Sequence, residues 1–284
     1  MPIAPVSPGD YDFLCRLLRE RLGQDLGPEK EYLAESRLGA LCHDKNLPGL
    51  GELFNQVRQA PFSPLVEDVL ESMAIQETSF FRGQNTFHTL KTVLLPEMLA
   101  HSNRGLNIWS ACCSTGQEPY SLALLIREHF PLAHKVRILA TDFSPQALKR
   151  GQAARYSRME TVRGLPMELR QRYFTEFQDG NFLLHDVIRE MVEFKKLNLL
   201  DSFAGLGGPF DLVLLRNVLI YMPLEVARDA LDRVRRAIKD TGCLILGDSE
   251  TILGKSDQFQ INERGLNYFR PKLSKPESSA VEKP

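Results

Sequence analysis

The sequence lacks the glycine patterns with which proteins hold phosphate groups. Residues 107–126 read as a buried strand, a tight loop and the start of a helix, which is the usual entrance to a nucleotide-type site. Only one glycine, Gly116, lies in that loop, so neither G-x-G-x-x-G nor a G-K-S/T ending is present. This absence argues against a phosphate cradle and against a nicotinamide dehydrogenase. Glu118, at the start of the predicted helix, instead suits a ligand that carries a positive charge.

An excess of positive charge is also missing, because 35 Lys and Arg stand against 36 Asp and Glu and the formal net charge is −1. A protein that binds nucleic acid without regard to sequence usually shows a basic face, so that class is disfavoured. No apolar run is long enough to span a bilayer, and residues 1–5 lack the features of a signal peptide.

The five cysteines include no C-x-x-C pair, which argues against a zinc site. Cys112 and Cys113 fall within a predicted core strand, and an odd number of cysteines favours a reducing compartment. We therefore expect a cytoplasmic protein without membrane insertion and without a metal.

The first 75 residues predict a small all-helical domain. Apolar residues recur at helical spacing in four segments, and Ser7-Pro8 and Ser63-Pro64 are typical helix starts. The segment is acidic, with seven Lys and Arg against twelve Asp and Glu over 1–75. We expect a second domain over 76–270, followed by a disordered polar tail over 271–284.

From residue 105 the pattern changes to alternating strands and helices, which predicts a mostly parallel sheet covered on both faces. Residues 170–191 interrupt the alternation, and Asp179-Gly180 between two apolar runs predicts a hairpin in a small β insertion. A last hairpin over 258–270 predicts an antiparallel edge strand. The predicted strands are 107–112, 136–141, 192–197, 210–216 and 242–247.

Open parallel sheets bind ligands at the carboxyl ends of their strands. The polar candidates at those ends are Glu118, Asp142, Asn198, Arg216, Asn217 and Tyr221. An acid after the second strand, such as Asp142, commonly accepts hydrogen bonds from ribose hydroxyls. Arg216 ends an apolar strand, so its charge must be paired or solvated in a cleft.

Each candidate also has a purely structural interpretation. Asp142 or Asn217 could cap the helix that follows it. Glu118 could be a surface acid matched to the helix dipole, and Tyr221 could be a core residue with a wet hydroxyl. Residues 76–82 could be a hinge whose two phenylalanines pack on the second domain while its arginine is solvated. The residue types alone leave these alternatives open.

In combination, several motifs resemble the chemotaxis receptor methyltransferase family of the CheR type, over residues 7–270. The motifs are ETSFFR (77–82), WSACCSTGQEPYSLAL (109–124), ATDFSPQAL (140–148), VEFKKLNLL (192–200) and FDLVLLRNVLIYM (210–222). The resemblance implies an N-terminal helical domain joined to a class I methyltransferase sheet with a small β-subdomain insertion. It further implies S-adenosyl-L-methionine as methyl donor, S-adenosyl-L-homocysteine as product, and glutamate side chains of chemoreceptor cytoplasmic helices as acceptors.

The resemblance also assigns site residues. The implied cofactor contacts are Gln76, Thr78, Arg82, Glu118, Asp142, Asn198, Leu199, Arg216 and Asn217. Arg82 and Tyr221 match the residues nearest the transferred methyl and are the predicted catalytic residues. Gln76 departs from the family, which has an asparagine there, and its longer side chain makes it the least secure match.

Two departures concern docking of the receptor. The family's second helix usually carries a cluster of arginines, whereas here only Arg37 stands at that face. The turn over 176–180 is shorter than in members that grip a C-terminal tether peptide, so we expect methylation independent of such a tether. A nucleic-acid methyltransferase would want a Pro-Pro turn where Arg216-Asn217-Val218 stands. A non-catalytic, cofactor-binding scaffold in a signalling array remains the alternative.

Overall fold

The computed structural model describes residues 5–102, 105–131, 135–261 and 267–273. Its first part is helical and packs around one apolar core that includes Leu14, Leu38, Phe54 and Leu70. The first helix begins where the sequence predicts, because the Ser7 hydroxyl accepts the backbone N–H of Asp10. The four helices are α1 (Pro8–Leu22), α2 (Glu31–Asp44), α3 (Leu50–Gln59) and α4 (Pro64–Met73).

The second part is built from ten strands and eight further helices of the described chain. The strands are β1 (Leu106–Ala111), β2 (Val136–Asp142), β3 (Arg155–Ser157), β4 (Phe174–Glu176), β5 (Asn181–Leu184), β6 (Val192–Lys196), β7 (Phe210–Leu215), β8 (Ile238–Leu246), β9 (Phe259–Ile261) and β10 (Tyr268–Pro271). The helices are α5 (Gln84–Thr89), α6 (Leu95–His101), α7 (Gln117–His129), α8 (Pro145–Ala153), α9 (Arg158–Val162), α10 (Met167–Tyr173), α11 (Asp186–Arg189) and α12 (Leu224–Ala237). A π-helical turn (Leu90–Leu94) joins α5 to α6, and a 3₁₀ turn (Leu219–Tyr221) follows β7.

Seven strands form the main sheet, in the order β6-β2-β1-β7-β8-β10-β9. Strands β6, β2, β1, β7 and β8 run parallel, and alternate residues face opposite sides. Ile108 packs in the same cluster as Leu124 of α7, whereas Trp109 packs with Leu231 of α12. The predicted mostly parallel sheet with two covered faces is therefore confirmed. The chain order reverses between β1 and β7, which is where such sheets open a ligand crevice.

The terminal hairpin, formed by β9 and β10, lies at one edge of the main sheet. Strand β10 is antiparallel to both β8 and β9, so it lies one place inside the edge. The predicted antiparallel hairpin at the edge of the sheet is therefore confirmed, and its outer strand β9 runs in the same direction as the parallel strands. The middle of the expected hairpin, residues 262–266, and the predicted tail beyond residue 273 lie outside the described residues.

A second, three-stranded sheet has the order β3-β5-β4. Strands β4 and β5 form the hairpin predicted at Asp179-Gly180. Strand β3, however, precedes the predicted insertion range of 170–191 and pairs with β5. Its three residues are too few to show an alternating pattern in the sequence, so the range has to be extended toward residue 155.

The helical part lies against the carboxyl ends of the main sheet. The Glu71 carboxylate accepts the Ser144 hydroxyl at 2.6 Å, just before α8. The backbone N–H of Asp25 donates to the Tyr221 carbonyl at 2.7 Å. These contacts bring α1 and α4 to the edge of the sheet where a ligand is expected. Within the described ranges, no helix combines the length and apolar character needed to cross a bilayer.

Replacing Gly116 by Ala tests the packing of the loop between β1 and α7. Gly116 has φ of +90°, and an added Cβ would lie 3.0 Å from the Phe194 ring and 3.2 Å from the Tyr156 hydroxyl. Gly180 is a matched control, since its φ is +75° but no described atom lies within 4 Å of an added Cβ. Both variants bear the left-handed backbone cost of ~1–2 kcal/mol, and crowding adds ~1–3 kcal/mol at Gly116 alone.

We expect urea unfolding to show a larger loss of stability for Gly116→Ala than for Gly180→Ala. Equal losses for the two variants would contradict the crowding argument.

Candidate active site

All of the predicted site residues line one cleft at the carboxyl ends of β1, β2, β6 and β7. The cleft encloses about 900 Å³ when its open mouth is included. The predicted residues it brings together are Gln76, Thr78, Arg82, Glu118, Asp142, Asn198, Leu199, Arg216, Asn217 and Tyr221. Leu22 and Gln24 of the helical part complete its wall.

The loop between β1 and α7 forms the floor of the cleft and has an unusual backbone. Cys112 and Ser114 have φ values of +55° and +50°, which non-glycine residues rarely adopt. Hydrogen bonds on several sides hold this conformation. The Cys113 N–H donates to the Thr141 carbonyl at 2.9 Å, and the Ser114 hydroxyl donates to the Gln76 carbonyl at 2.9 Å. The backbone strain is thus fixed by neighbouring segments at the ligand-binding edge.

A buried ion pair joins Glu118 to Arg216. The distance from Arg216 Nη1 to Glu118 Oε2 is 2.9 Å, and the two side chains are only 2% and 13% exposed. The Ser110 hydroxyl donates to the other Glu118 oxygen at 2.7 Å, and Arg216 Nη2 donates to the Arg82 carbonyl at 2.7 Å. Glu118 is therefore not a solvated surface acid. A carboxylate offers about four lone-pair sites, so Glu118 can still accept from a cationic ligand.

Asp142 connects two loops of the cleft. Its Oδ2 accepts the Ser114 N–H at 2.8 Å, and its Oδ1 accepts the Ser144 N–H at 3.0 Å. Burial raises the pKa of Asp142 above its usual value, and the two N–H donors oppose that rise. Asp142 does not cap α8, because the Ser144 hydroxyl accepts the Ala147 N–H at 2.9 Å and is itself the cap.

Glu250, which follows β8, is a functional candidate that is absent from the residues predicted from the sequence. It is 4% exposed and accepts the N–H groups of Asn217, Val218 and Leu219 at 2.6, 2.9 and 2.8 Å. These bonds hold the loop after β7, where Asn217 has φ of +59°. The capping role considered for Asn217 is therefore wrong, since Glu250 satisfies the N–H groups that a cap would serve. The sequence feature that could have identified Glu250 is an acidic residue shortly after the last parallel strand, β8.

The remaining predicted residues line the cleft from its other sides. Asn198 donates its amide N–H to the Arg21 carbonyl at 2.6 Å, so this side chain also fastens the helical part. Leu199 is buried in the core beneath the cleft. Tyr221 is half-buried at the mouth. Gln76 Oε1 is buried and accepts no hydrogen bond from the described part of the chain.

Residues 77–82 do more than join two domains. Phe80 is fully buried, with its ring 5.0 Å from that of Tyr156 in an edge-to-face arrangement. The hinge interpretation is correct in that Phe80 packs on the second domain. Arg82, however, lies in the cleft wall and donates to the Glu77 carbonyl at 2.9 Å. The motif therefore presents its arginine at the mouth of the cleft.

The cleft contains acids, amides and hydroxyls but no glycine-rich phosphate loop. Burial raises the pKa of the Cys112 thiol well above its usual range, and the carboxylates of Asp142, Glu118 and Glu250 add to the rise. Such a negative floor suits a cationic ligand. No cluster of His, Cys, Asp or Glu with the geometry of a metal site occurs in the residues that the structure describes.

A seven-stranded sheet of this order, with one inserted antiparallel strand and a cleft at the switch point, defines an S-adenosylmethionine-dependent methyltransferase fold. Comparison with family models gives the particular family. Residues 76–266 match the CheR methyltransferase, SAM binding domain, and residues 9–73 match the CheR methyltransferase, all-alpha domain. The chain belongs to the CheR methyltransferase family.

Curated relatives agree with this assignment. The chain is 41% identical to chemotaxis protein methyltransferase 1 of Pseudomonas aeruginosa, a match that covers 89% of this chain and 93% of the relative. It is 38% identical to chemotaxis protein methyltransferase Cher2 of Pseudomonas putida, covering 90% and 96%. It is 35% identical to chemotaxis protein methyltransferase 1 of Vibrio cholerae, covering 92% and 96%.

The family resemblance, the fold class and the S-adenosylmethionine cofactor predicted from the sequence are thereby confirmed. The protein is an S-adenosylmethionine-dependent methyltransferase. The roles of the individual site residues stay predictions.

Replacing Glu250 by Gln tests its role in positioning the loop after β7. The amide keeps the size of the side chain but loses one acceptor oxygen, so a buried N–H group is left without a partner at a cost of ~1–3 kcal/mol. We expect a lower free energy of unfolding and weaker binding of S-adenosylmethionine, measured by urea unfolding and calorimetry. Glu225→Gln, an equal charge change at an exposed position of α12, is the control. Unchanged affinity in Glu250→Gln would remove this residue from the site.

Proposed function

We propose that the protein transfers methyl groups from S-adenosylmethionine to glutamate side chains on the cytoplasmic helices of chemoreceptors, forming glutamate methyl esters. The observation that supports this proposal is the convergence of the predicted donor-site residues in one cleft whose mouth holds Arg82 and Tyr221. We place the protein in the cytoplasm, because the acceptor helices are there.

The residues present fit a donor that carries positive charge. Asp142 is a buried acid in the cleft wall and Glu118 is a partly buried one, and Gln76 Oε1 is a buried acceptor without a donor in the described chain. We assign Glu118 to the methionine ammonium and Asp142 to the ribose hydroxyls. The assigned contacts of Gln76, Thr78, Asn198, Leu199, Arg216 and Asn217 complete this set. When bound, S-adenosylmethionine supplies a methyl group on a positively charged sulfur, which is an intrinsically good leaving group.

The acceptor needs no general base. An unperturbed glutamate has a pKa of about 4.3 and is a carboxylate at neutral pH. The chain then has to orient this carboxylate and exclude water, and positioning of this kind contributes on the order of 7–11 kcal/mol. Arg82 is suited to steer the acceptor, because a guanidinium matches the planar geometry of a carboxylate. We assign to Tyr221 a hydrogen bond to this carboxylate and the covering of the methyl group.

We further propose that methylation does not require a C-terminal tether peptide on the receptor. The loop that joins β4 to β5 comprises only residues 177–180. On the helical part, Arg37 donates to the Met73 carbonyl at 2.9 Å, so its guanidinium is already engaged within the domain. Docking through a tether would use a longer β4–β5 loop, and docking through an arginine cluster would use free guanidinium groups on α2. This chain has neither feature in its described residues.

The test is incubation with radiolabelled S-adenosylmethionine and purified chemoreceptor cytoplasmic fragments, with and without their last residues. We expect base-labile label in both fragments. We also expect a loss of about tenfold or more in kcat for Tyr221→Phe with unchanged donor affinity, because a hydrogen bond to a charged group contributes about 1.5–3 kcal/mol. A fragment labelled only when its C-terminus is intact would contradict tether independence. Donor binding without any labelling would favour the non-catalytic scaffold.

Asp142→Asn tests the donor site itself. The amide removes one acceptor oxygen and the negative charge, and a hydrogen bond to a charged group contributes about 1.5–3 kcal/mol, or roughly 10–100-fold in affinity. We expect calorimetry to show this loss for S-adenosylmethionine, while Asp257→Asn, at an exposed position, changes nothing. Because burial raises the pKa of Asp142, affinity of the unaltered protein should begin to fall at a higher pH than an ordinary aspartate would dictate. Equal affinities of both variants would remove Asp142 from the site.

A further inference from the structure

A buried tyrosine of the three-stranded sheet reaches the loop that forms the floor of the cleft. Tyr156 is the middle residue of β3 and is only 1% exposed. Its hydroxyl donates to the Thr115 carbonyl at 2.8 Å, across 41 positions of the chain. Burial raises the pKa of the Tyr156 hydroxyl well above its usual range, so the group keeps its proton at neutral pH. The second sheet therefore holds the loop between β1 and α7 through this hydroxyl.

The Thr115 carbonyl depends on this donor. Thr115 lies one residue before Gly116, the N-cap of α7, and is 7% exposed. The residue four positions later, whose N–H a helical carbonyl would accept, is Pro119, which has no N–H. The Thr115 hydroxyl is held separately, because it donates to Gln117 Oε1 at 2.7 Å. Loss of the tyrosine hydroxyl would thus leave a buried backbone acceptor without its partner.

The loop that this hydroxyl holds carries residues of the donor site. Thr115 directly follows Ser114, whose N–H donates to Asp142 Oδ2 at 2.8 Å. Glu118 comes three residues after Thr115 and lines the same cleft. Ser114 has φ of +50°, a conformation that persists only where the surrounding structure holds it. A shift of Thr115 would therefore displace the N–H group that orients Asp142.

The ring of Tyr156 is fixed by aromatic neighbours. Its centroid lies 5.0 Å from that of Phe80 and 6.5 Å from that of Tyr120, and both contacts are edge-to-face. Phe80 in turn packs edge-to-face on Phe174 of β4 at 5.8 Å. The hydroxyl is thus carried by a rigid part of the core and cannot follow a relaxing loop. A contact of this kind orders the loop before a ligand binds, which improves affinity.

We propose that Tyr156 is a positioning residue for S-adenosylmethionine. Its hydroxyl holds Thr115 in the conformation that binds the donor, and through Ser114 it sets the orientation of Asp142. Tyr156 is not among the residues that line the cleft, so it acts through the loop. This inference rests on the proposed assignment of Asp142 to the donor and adds to it a residue of the inserted sheet.

The test is calorimetric titration of the Tyr156→Phe variant of the full chain with S-adenosylmethionine. The ring stays in the core, but the donor has to reorder the loop when it binds. We expect Kd to rise about fivefold, the ratio that corresponds to one ordinary hydrogen bond, with unchanged stoichiometry. A merely structural role would lower the folded fraction, and hence the stoichiometry, without changing Kd.

Tyr120→Phe is the matched control. Tyr120 is also 1% exposed, and its hydroxyl also donates to a carbonyl, that of Gly151 in α8, at 2.9 Å. This carbonyl accepts the Ala154 N–H as well, at 3.0 Å. The control therefore removes a buried hydroxyl from the same aromatic cluster without releasing the loop backbone. We expect its Kd for S-adenosylmethionine to equal that of the unaltered protein.

Asp142→Asn, titrated in parallel, separates this inference from the proposal on which it rests. Weaker binding by Asp142→Asn together with an unchanged Kd for Tyr156→Phe would overturn the positioning role alone. Equal rises in Kd for Tyr156→Phe and Tyr120→Phe would also overturn it, since any buried hydroxyl would then have the same effect. An unchanged Kd for Asp142→Asn would remove the donor assignment, and the positioning role with it. Urea unfolding establishes that each variant is folded under the conditions of the titration.

Discussion

The ion pair between Arg216 and Glu118 is the interaction on which the cleft depends. Arg216 ends β7, Glu118 lies in the first turn of α7, and the same guanidinium holds the Arg82 carbonyl. Three segments far apart in sequence therefore meet at one planar cation. Breaking a buried pair costs about 3–5 kcal/mol, although such a pair often adds little net stability compared with an apolar replacement. Its presence is better explained by the position it gives to Arg82 than by stability.

The same logic applies to the other buried acids of the cleft. The carboxylate oxygens of Asp142 and Glu250 accept hydrogen bonds from backbone N–H groups of adjoining loops. Those of Glu118 accept hydrogen bonds from Arg216 and Ser110. The folded pKa of Asp142 lies above its unfolded value, so its titration favours folding below the unfolded pKa, and this contribution is lost as pH rises through the folded pKa. At neutral pH the buried Asp142 carboxylate therefore lowers the stability of the fold, but its negative charge attracts a cationic donor to the cleft.

Sequence patterns predicted the main sheet and predicted that the candidate residues lie at one edge of it, because strand ends and helix starts are local signals. They could not predict that Asn198 fastens α1, since that contact spans 177 positions of the chain. Glu250 was missed for a similar reason, as its partners lie about 30 residues away in another loop. Strand β3 was missed because three residues are too short to show a period. Local periodicity therefore predicts elements, whereas the pairing of loop side chains depends on the finished fold.

The helical part contributes residues to the cleft. Leu22 and Gln24 line the cleft, and the Asp25 N–H holds the carbonyl of Tyr221 at its mouth. Glu71 of α4 accepts a hydrogen bond from the Ser144 hydroxyl beside Asp142, so a movement of α4 would displace residues of the donor site. A sheet alone would leave the cleft open on this side. Because water must be excluded for an acceptor carboxylate to lose its hydration, the helical domain and the sheet have to act as one body during methyl transfer.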